Sequence, residues 1–112
     1  MRITPDEVLN AYRETRVTPT QGEYYAKEGE HCYACALGVL ALYHCPRSFQ
    51  SDWAEPWQYS VALGLSEDYV TGFTEGFDGL PWEDAGGNRA GYEDGKLVAS
   101  VVFGKDESSW SS

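Results

Sequence analysis

A mainly α, compact single domain of four or five short helices is what this sequence predicts, and three observations carry the prediction. Hydrophobic residues make up 42% of its 112 residues and aromatic ones 14%, enough for one real core and too rich for a disordered chain. Helix-start signals recur, with Thr4, Pro5 and Glu7 in one place and Ser66, Glu67 and Asp68 in another. Apolar residues return at spacings of three and four, as at Val70, Phe73 and Phe77. Residues 1–112 read as one domain, with 104–112 as a frayed tail. The alternative is an α+β fold in which residues 96–103, rich in valine, form a strand.

The first element is specified locally. Thr4 is placed as an N-cap, Pro5 as the first helical residue and Glu7 as the closing member of a capping box. Ile3 and Val8 stand at the hydrophobic-staple positions, so a helix is expected over Pro5 to Thr15. Residues 16–29, punctuated by Pro19, Gly22 and Gly29, read as a loop. The stretch from His31 to His44 reads as a buried helix, apolar on all sides and stopped by Pro46. Pro56 begins a short helix carrying Trp57, Val61 and Leu63, with Gly64 as its stop. Another helix follows over Glu67 to Phe77. Its Gly72 and Gly76 cost about 1 kcal/mol each in a helix interior, which close approach of a second helix would offset. Residues 78–88 form a turn-rich connection. In the last element GYEDG echoes the GFTEG found nineteen residues earlier, which favours a helix with Tyr92, Ala99 and Phe103 inward.

All three cysteines and both histidines fall in EHCYACALGVLALYHC, residues 30–45. The candidate metal ligands are His31, Cys32 and Cys35, with His44 and Cys45 further on. Within one helix, Cys35 and His44 would be separated by about 13.5 Å of rise and would face opposite ways, so they could not share a zinc ion. A lone CxxC lacks the second ligand pair of a structural zinc site. As a redox pair, Cys32 and Cys35 would need to follow a hydrophobic strand, and GEYYAKEGE does not read as one. Neither histidine is placed to activate a cysteine nucleophile, and no GxSxG, P-loop or GxGxxG is present. The simpler reading makes the cysteines small core fillers, with Cys32, Cys35, Val39 and Tyr43 on one helical face. No cofactor is expected.

Acids cluster at Glu75, Asp78, Glu83, Asp84, Glu93 and Asp94, without the spacing of an EF-hand loop. Paired carboxylates of a hydrolase are a further class that the sequence leaves open. The net charge of −10 repels phosphate backbones and disfavours direct nucleic-acid binding. The apolar run from Ala34 to Tyr43 is short for a membrane span, which needs about 20 residues. The N-terminal MRITPDE lacks the pattern of a secretory signal, and an odd number of cysteines makes no disulfide framework; a reducing cytosol is the expected location. Trp53, Trp57, Tyr69, Phe73, Phe77 and Trp82 crowd into thirty residues. More aromatics than a small core buries suggest an interaction patch rimmed by acids.

The expectation is therefore a non-enzymatic, acidic protein-interaction domain. It would act through an aromatic and glycine patch, on a second copy or as an inhibitor of a basic partner. A metal-binding protein using Cys32 and Cys35 is the alternative. The segments CALGVLAL, LGLSEDYVTGFTEGFDG and GYEDGKLVASVVF resemble parts of small uncharacterised bacterial and phage proteins, in which a C-A-L-G helix precedes aromatic–glycine helices. That resemblance implies a small, mostly helical domain and supplies no activity.

Overall fold

The structure is a computed structural model that describes residues 2–50 and 52–104. It is mainly α, with a small three-stranded sheet beside the helices. The first helix, α1, runs Pro5–Thr15 as the sequence dictates. The Thr4 N–H donates to Glu7 Oε1 at 3.0 Å, and the Glu7 N–H returns to Thr4 Oγ1 at 3.4 Å. Arg16, at φ +60°, closes the helix in the left-handed region.

The segment expected as a loop, and the first turn of the expected cysteine helix, are instead strands. They are β1 (Thr18–Pro19), β2 (Tyr25–Glu28) and β3 (His31–Ala34). The sheet order is β1-β3-β2, with β3 parallel to β1 and antiparallel to β2. Tyr25 pairs with Ala34 and Glu28 with His31, leaving Gly29 and Glu30 as a two-residue hairpin loop. Gly29 sits at φ +61°, a conformation that glycine adopts at no steric cost and that tight hairpins require. Cys35 remains extended (φ −75°, ψ 177°), so the helix begins only after it. A short apolar run such as CYACALG suits a buried strand as well as a buried helix, which is why periodicity alone did not place the boundary.

Helix α2, Ala36–His44, is the centre of the core, with Ala36 to Ala41 all buried. Gly38 is required there: a Cβ on it would lie 1.8 Å from the Tyr24 carbonyl oxygen. The Tyr12 hydroxyl of α1 donates to the Ala34 carbonyl at 2.7 Å and ties the first helix to β3. One apolar cluster links Ile3 and Val8 through Leu37 and Val39 to Phe73 and Val98.

Helix α3 spans Pro56–Leu63 and ends on Gly64 at φ +68°. Helix α4 spans Glu67–Phe77, capped by the Ser66 hydroxyl accepting the Tyr69 N–H at 3.2 Å. The connection contains a single 3-10 turn, Trp82–Asp84. The last helix, α5, is Arg89–Val102; residues 96–102 are helical, and the strand alternative for 96–103 does not hold. Phe103 is only the C-cap of that helix. The valines' preference for strands is overridden by a backbone seam with α4.

That seam explains the repeated glycines. A Cβ on Gly72 would lie 2.3 Å from Asn88 O, and one on Gly76 would lie 2.0 Å from Tyr92 O. Conversely, a Cβ on Gly91 would lie 2.3 Å from Tyr69 O, and one on Gly95 would lie 2.1 Å from Phe73 O. Residues 69, 72, 73 and 76 correspond to 88, 91, 92 and 95, an offset of nineteen in each case. The two helices therefore run parallel and are related by a local pseudo-two-fold, with the GFTEG and GYEDG segments facing each other.

A parallel pair needs its connection to travel back along α4. Glu75 directs that return, since its two carboxylate oxygens accept the Gly86 and Gly87 N–H groups at 2.8 Å each. Asn88 then donates its N–H to Asp68 O at 3.2 Å and caps α5 through a 2.7 Å bond from the Gly91 N–H. The N-terminal strap closes the other side of the pair. Arg2 meets Asp94 through two bonds of 2.9 and 2.8 Å, and the Ile3 N–H donates to the Tyr69 hydroxyl at 2.9 Å. Of the tail expected over 104–112, residues 105–112 lie outside the described residues.

Candidate interaction site

The aromatic residues divide into two groups. Tyr69, Phe73 and Phe77 lie on the inner face of α4 at 6%, 0% and 1% exposure. They fill the core beside the glycine seam rather than the surface, because their three- and four-residue spacing is the spacing of the buried stripe. The patch expected from six aromatics is correspondingly smaller. Trp53, Trp57 and Trp82 are the three that reach solvent.

Trp53 and Trp57 belong together. Pro56 and the Glu55–Gln58 capping box start α3 sharply, and the Gln58 side-chain oxygen accepts both the Ala54 and Glu55 N–H groups at 2.9 Å. This fixes the turn that carries Trp53. Its ring packs edge-on against Phe49 (5.5 Å) and Tyr59 (5.7 Å), while Tyr59 stacks on Tyr24 at 4.3 Å. The Tyr59 hydroxyl donates to the Trp53 carbonyl at 2.9 Å. With Tyr59 fully buried, one side of α3 is anchored and the other must face outward. On that outer side Trp57 is 53% exposed and Val61, one turn later, is 75% exposed. The stripe borders an open cleft of about 400 Å³, also lined by Cys45, Ser48, Trp53 and Ala62. A second open cleft, of about 430 Å³, lies across Trp53 and carries the carboxylates Glu23 and Asp52. Glu55 adds a third exposed acid at the start of the helix.

Trp82 forms a different cluster on the 78–88 connection, with its ring 5.1 Å from Tyr92 and the Arg89 guanidinium 4.6 Å above it. The Tyr92 hydroxyl donates to Leu80 O at 2.6 Å. These contacts pin the connection to α5 and account for Trp82 structurally.

The cysteines are separated by the fold. Cys32 lies on β3 and receives the Tyr25 hydroxyl at 3.2 Å. Cys35 is buried at the N-cap of α2, and burial pushes its thiol up to about 12. Cys45 donates to Ala62 O at 3.4 Å. All three are free thiols. Cys32, Cys35, Val39 and Tyr43 do not share one helical face, since Cys32 is on a strand and Tyr43 is 38% exposed. His31 and His44 are both exposed. Among the described residues no three His, Cys, Asp or Glu side chains converge as a metal site would require. Cys35, the cysteine at the helix start, is buried with its pKa raised by that burial, the reverse of an activated thiolate.

The acids are spread among separate duties. Glu75 clamps Gly86 and Gly87, Asp78 accepts the Gly22 N–H at 2.9 Å, Glu93 pairs with Arg89, and Asp94 holds Arg2. Four of the six clustered carboxylates are thus committed to different partners and do not converge on a common centre.

The chain matches no protein-family model, no curated protein and no solved structure. Among the described residues no helix is long and apolar enough to cross a membrane.

The sequence singles out Trp53 and Trp57, which reach solvent, and does not mark Val61 as a surface residue. The available signal was the position of Val61 four residues after Trp57, on the face opposite Tyr59.

Proposed function

We propose that this chain is a non-enzymatic, acidic, cytosolic interaction domain that docks a basic amphipathic segment of another protein on the outer face of α3. The observation that carries the reading is the Trp57–Val61 stripe, 53% and 75% exposed, beside the cleft that Trp53 walls. Exposed tryptophan with an adjoining aliphatic residue is costly to leave in water and is the kind of surface that anchors interfaces. Charge selects the occupant. Glu23 and Asp52 line the neighbouring cleft across Trp53, Glu55 stands at the start of the same helix, and Arg47 is the one Lys or Arg in residues 44–63. The net charge of −10 opposes a second copy and favours a cationic partner. Masking such a segment would inhibit a partner that uses it to bind nucleic acid. The three free thiols fit a reducing compartment.

The test is a tryptophan-fluorescence and calorimetric titration of the full chain with a synthetic amphipathic lysine–leucine helix. Saturable binding that weakens steeply with salt is expected. The W57A/V61S variant should lose at least about tenfold in affinity. L97S/V101S, which alters the exposed apolar pair on α5, should leave affinity unchanged. Absence of binding, or equal losses in both variants, overturns the proposal. A concentration-dependent dimer abolished by V61E would replace the basic partner with a second copy.

A further inference from the structure

The geometry points to a second binding site, a small apolar cavity beneath the N-terminal strap that accepts a single-ring aromatic molecule. It is a different concavity from the α3 cleft, with which it shares Ala62. The pocket measures about 130 Å³, opens to solvent on one side, and is lined by Ile3, Leu40, Ala62, Leu63 and Leu65; Arg2, Glu7 and His44 bring polar groups to its edge. An apolar space of about 150 Å³ holds one benzene ring, so this pocket, open to solvent on one side, has the size for a single ring.

The walls are fixed before any ligand arrives. Arg2 is held by its two bonds to Asp94, and Ile3 by its N–H bond to the Tyr69 hydroxyl. On the opposite wall Gly64 turns the chain at φ +68°, and the Leu65 N–H bonds to Ser60 O at 3.0 Å. Leu40 and Ile3 are buried at 2% and 5% exposure and form the apolar floor. A preformed apolar pocket with polar groups at its edge is the ordinary form of a small-ligand site. A ring with one short polar substituent directed toward Arg2 and His44 satisfies both parts.

The test titrates the isotope-labelled full chain with benzene and with benzyl alcohol, followed by NMR. Saturable shifts confined to residues around Ile3, Leu40, Ala62, Leu63 and Leu65 are expected, with benzyl alcohol the tighter of the two. Leu65→Phe, at a residue the α3 cleft does not share, fills the space and should raise the melting temperature and weaken binding by about tenfold or more. If Leu65→Phe does not fold, Ala62→Leu fills the pocket from the helix side and should have the same effect. Shifts that never saturate, shifts scattered over the surface, or a filled variant that binds as well as the natural chain would overturn the proposal.

Discussion

Asp94 and Asp78 have opposite effects on stability, and the difference lies in what each carboxylate touches. For Asp94, burial acts to raise the pKa, but the hydrogen bonds from Arg2 and Tyr69 and the Arg2 charge outweigh it and leave the pKa below its ordinary value. A depressed carboxylate contributes stability above its unfolded pKa and loses it as pH falls through the folded one. Asp94→Asn should therefore lower the urea midpoint at pH 7, and the difference from the natural chain should vanish in strong acid. Asp78 is the reverse case. Burial raises its pKa, and the Gly22 N–H offsets only part of the effect. Its contribution is unfavourable above the folded pKa and disappears as pH falls through it. Asp78→Asn keeps an oxygen for the Gly22 N–H and removes the charge, so it should raise the midpoint at pH 7 and change little near pH 3. Equal shifts at both pH values would show that packing, not charge, sets the effect. At the same scale the cysteines should differ in reactivity. Native-state alkylation should modify the partly exposed Cys32 and Cys45 and spare Cys35, whose thiol is both buried and raised to about 12. Intact-mass analysis should show two labels in the native protein and three after unfolding.

Among the elements, the parallel α4–α5 seam makes the sharpest stability prediction. Gly76→Ala and Gly95→Ala place a Cβ about 2 Å from a facing carbonyl oxygen, so the helices must separate. A loss at or above the upper end of the usual overpacking cost, about 1–3 kcal/mol, is expected by urea unfolding. Gly86→Ala is the control, since its Cβ would meet only the Glu75 carboxylate at 3.9 Å. Comparable losses at Gly86 and Gly76 would remove the seam as the explanation. The sequence made the separate helices legible because their signals are local or repeated. Thr4 with Glu7, Pro56 with Gly64 and Ser66 each mark an end by capping chemistry, and the nineteen-residue echo marked a second helix; that this helix is the one facing Gly72 and Gly76 is a tertiary fact. The hairpin was not legible for a physical reason. Tyr25 to Ala34 has neither a clean polar alternation nor an Asn-Gly turn, and β3 takes its place from the backbone bonds of β1 and β2 on either side. Those contacts are tertiary, and Cys35 could be recognised as an N-cap only once they were known. The same limit applies to the site. The aromatic spacing of α4 could not separate core from surface, whereas on α3 the anchoring of Tyr59 decides which side Trp57 and Val61 face.

At the scale of the whole molecule, charge acts on the fold as well as on recognition. The chain carries a net −10 within extents of 39 × 29 × 23 Å. At about 0.01 M salt the screening length is about 30 Å, so most acidic groups repel one another across the entire body; at about 0.15 M it is about 8 Å and only near neighbours interact. The described residues hold two ion pairs, Arg2–Asp94 and Arg89–Glu93. The second is exposed on both sides and of small worth. Relief of repulsion should therefore exceed the weakening of attraction, and the melting temperature should rise with sodium chloride over this range. Replacing an acid that has no specific partner in the described fold should imitate the added salt: Glu14→Gln should raise stability at low salt and do nothing at high salt. Arg2→Gln should behave in the opposite way. It removes the cation that fastens the strap to Asp94 and adds to the net negative charge, so its loss should be largest at low salt. A melting temperature that falls as salt rises would mean that the strap's ion pair, rather than global repulsion, governs the electrostatic part of the stability.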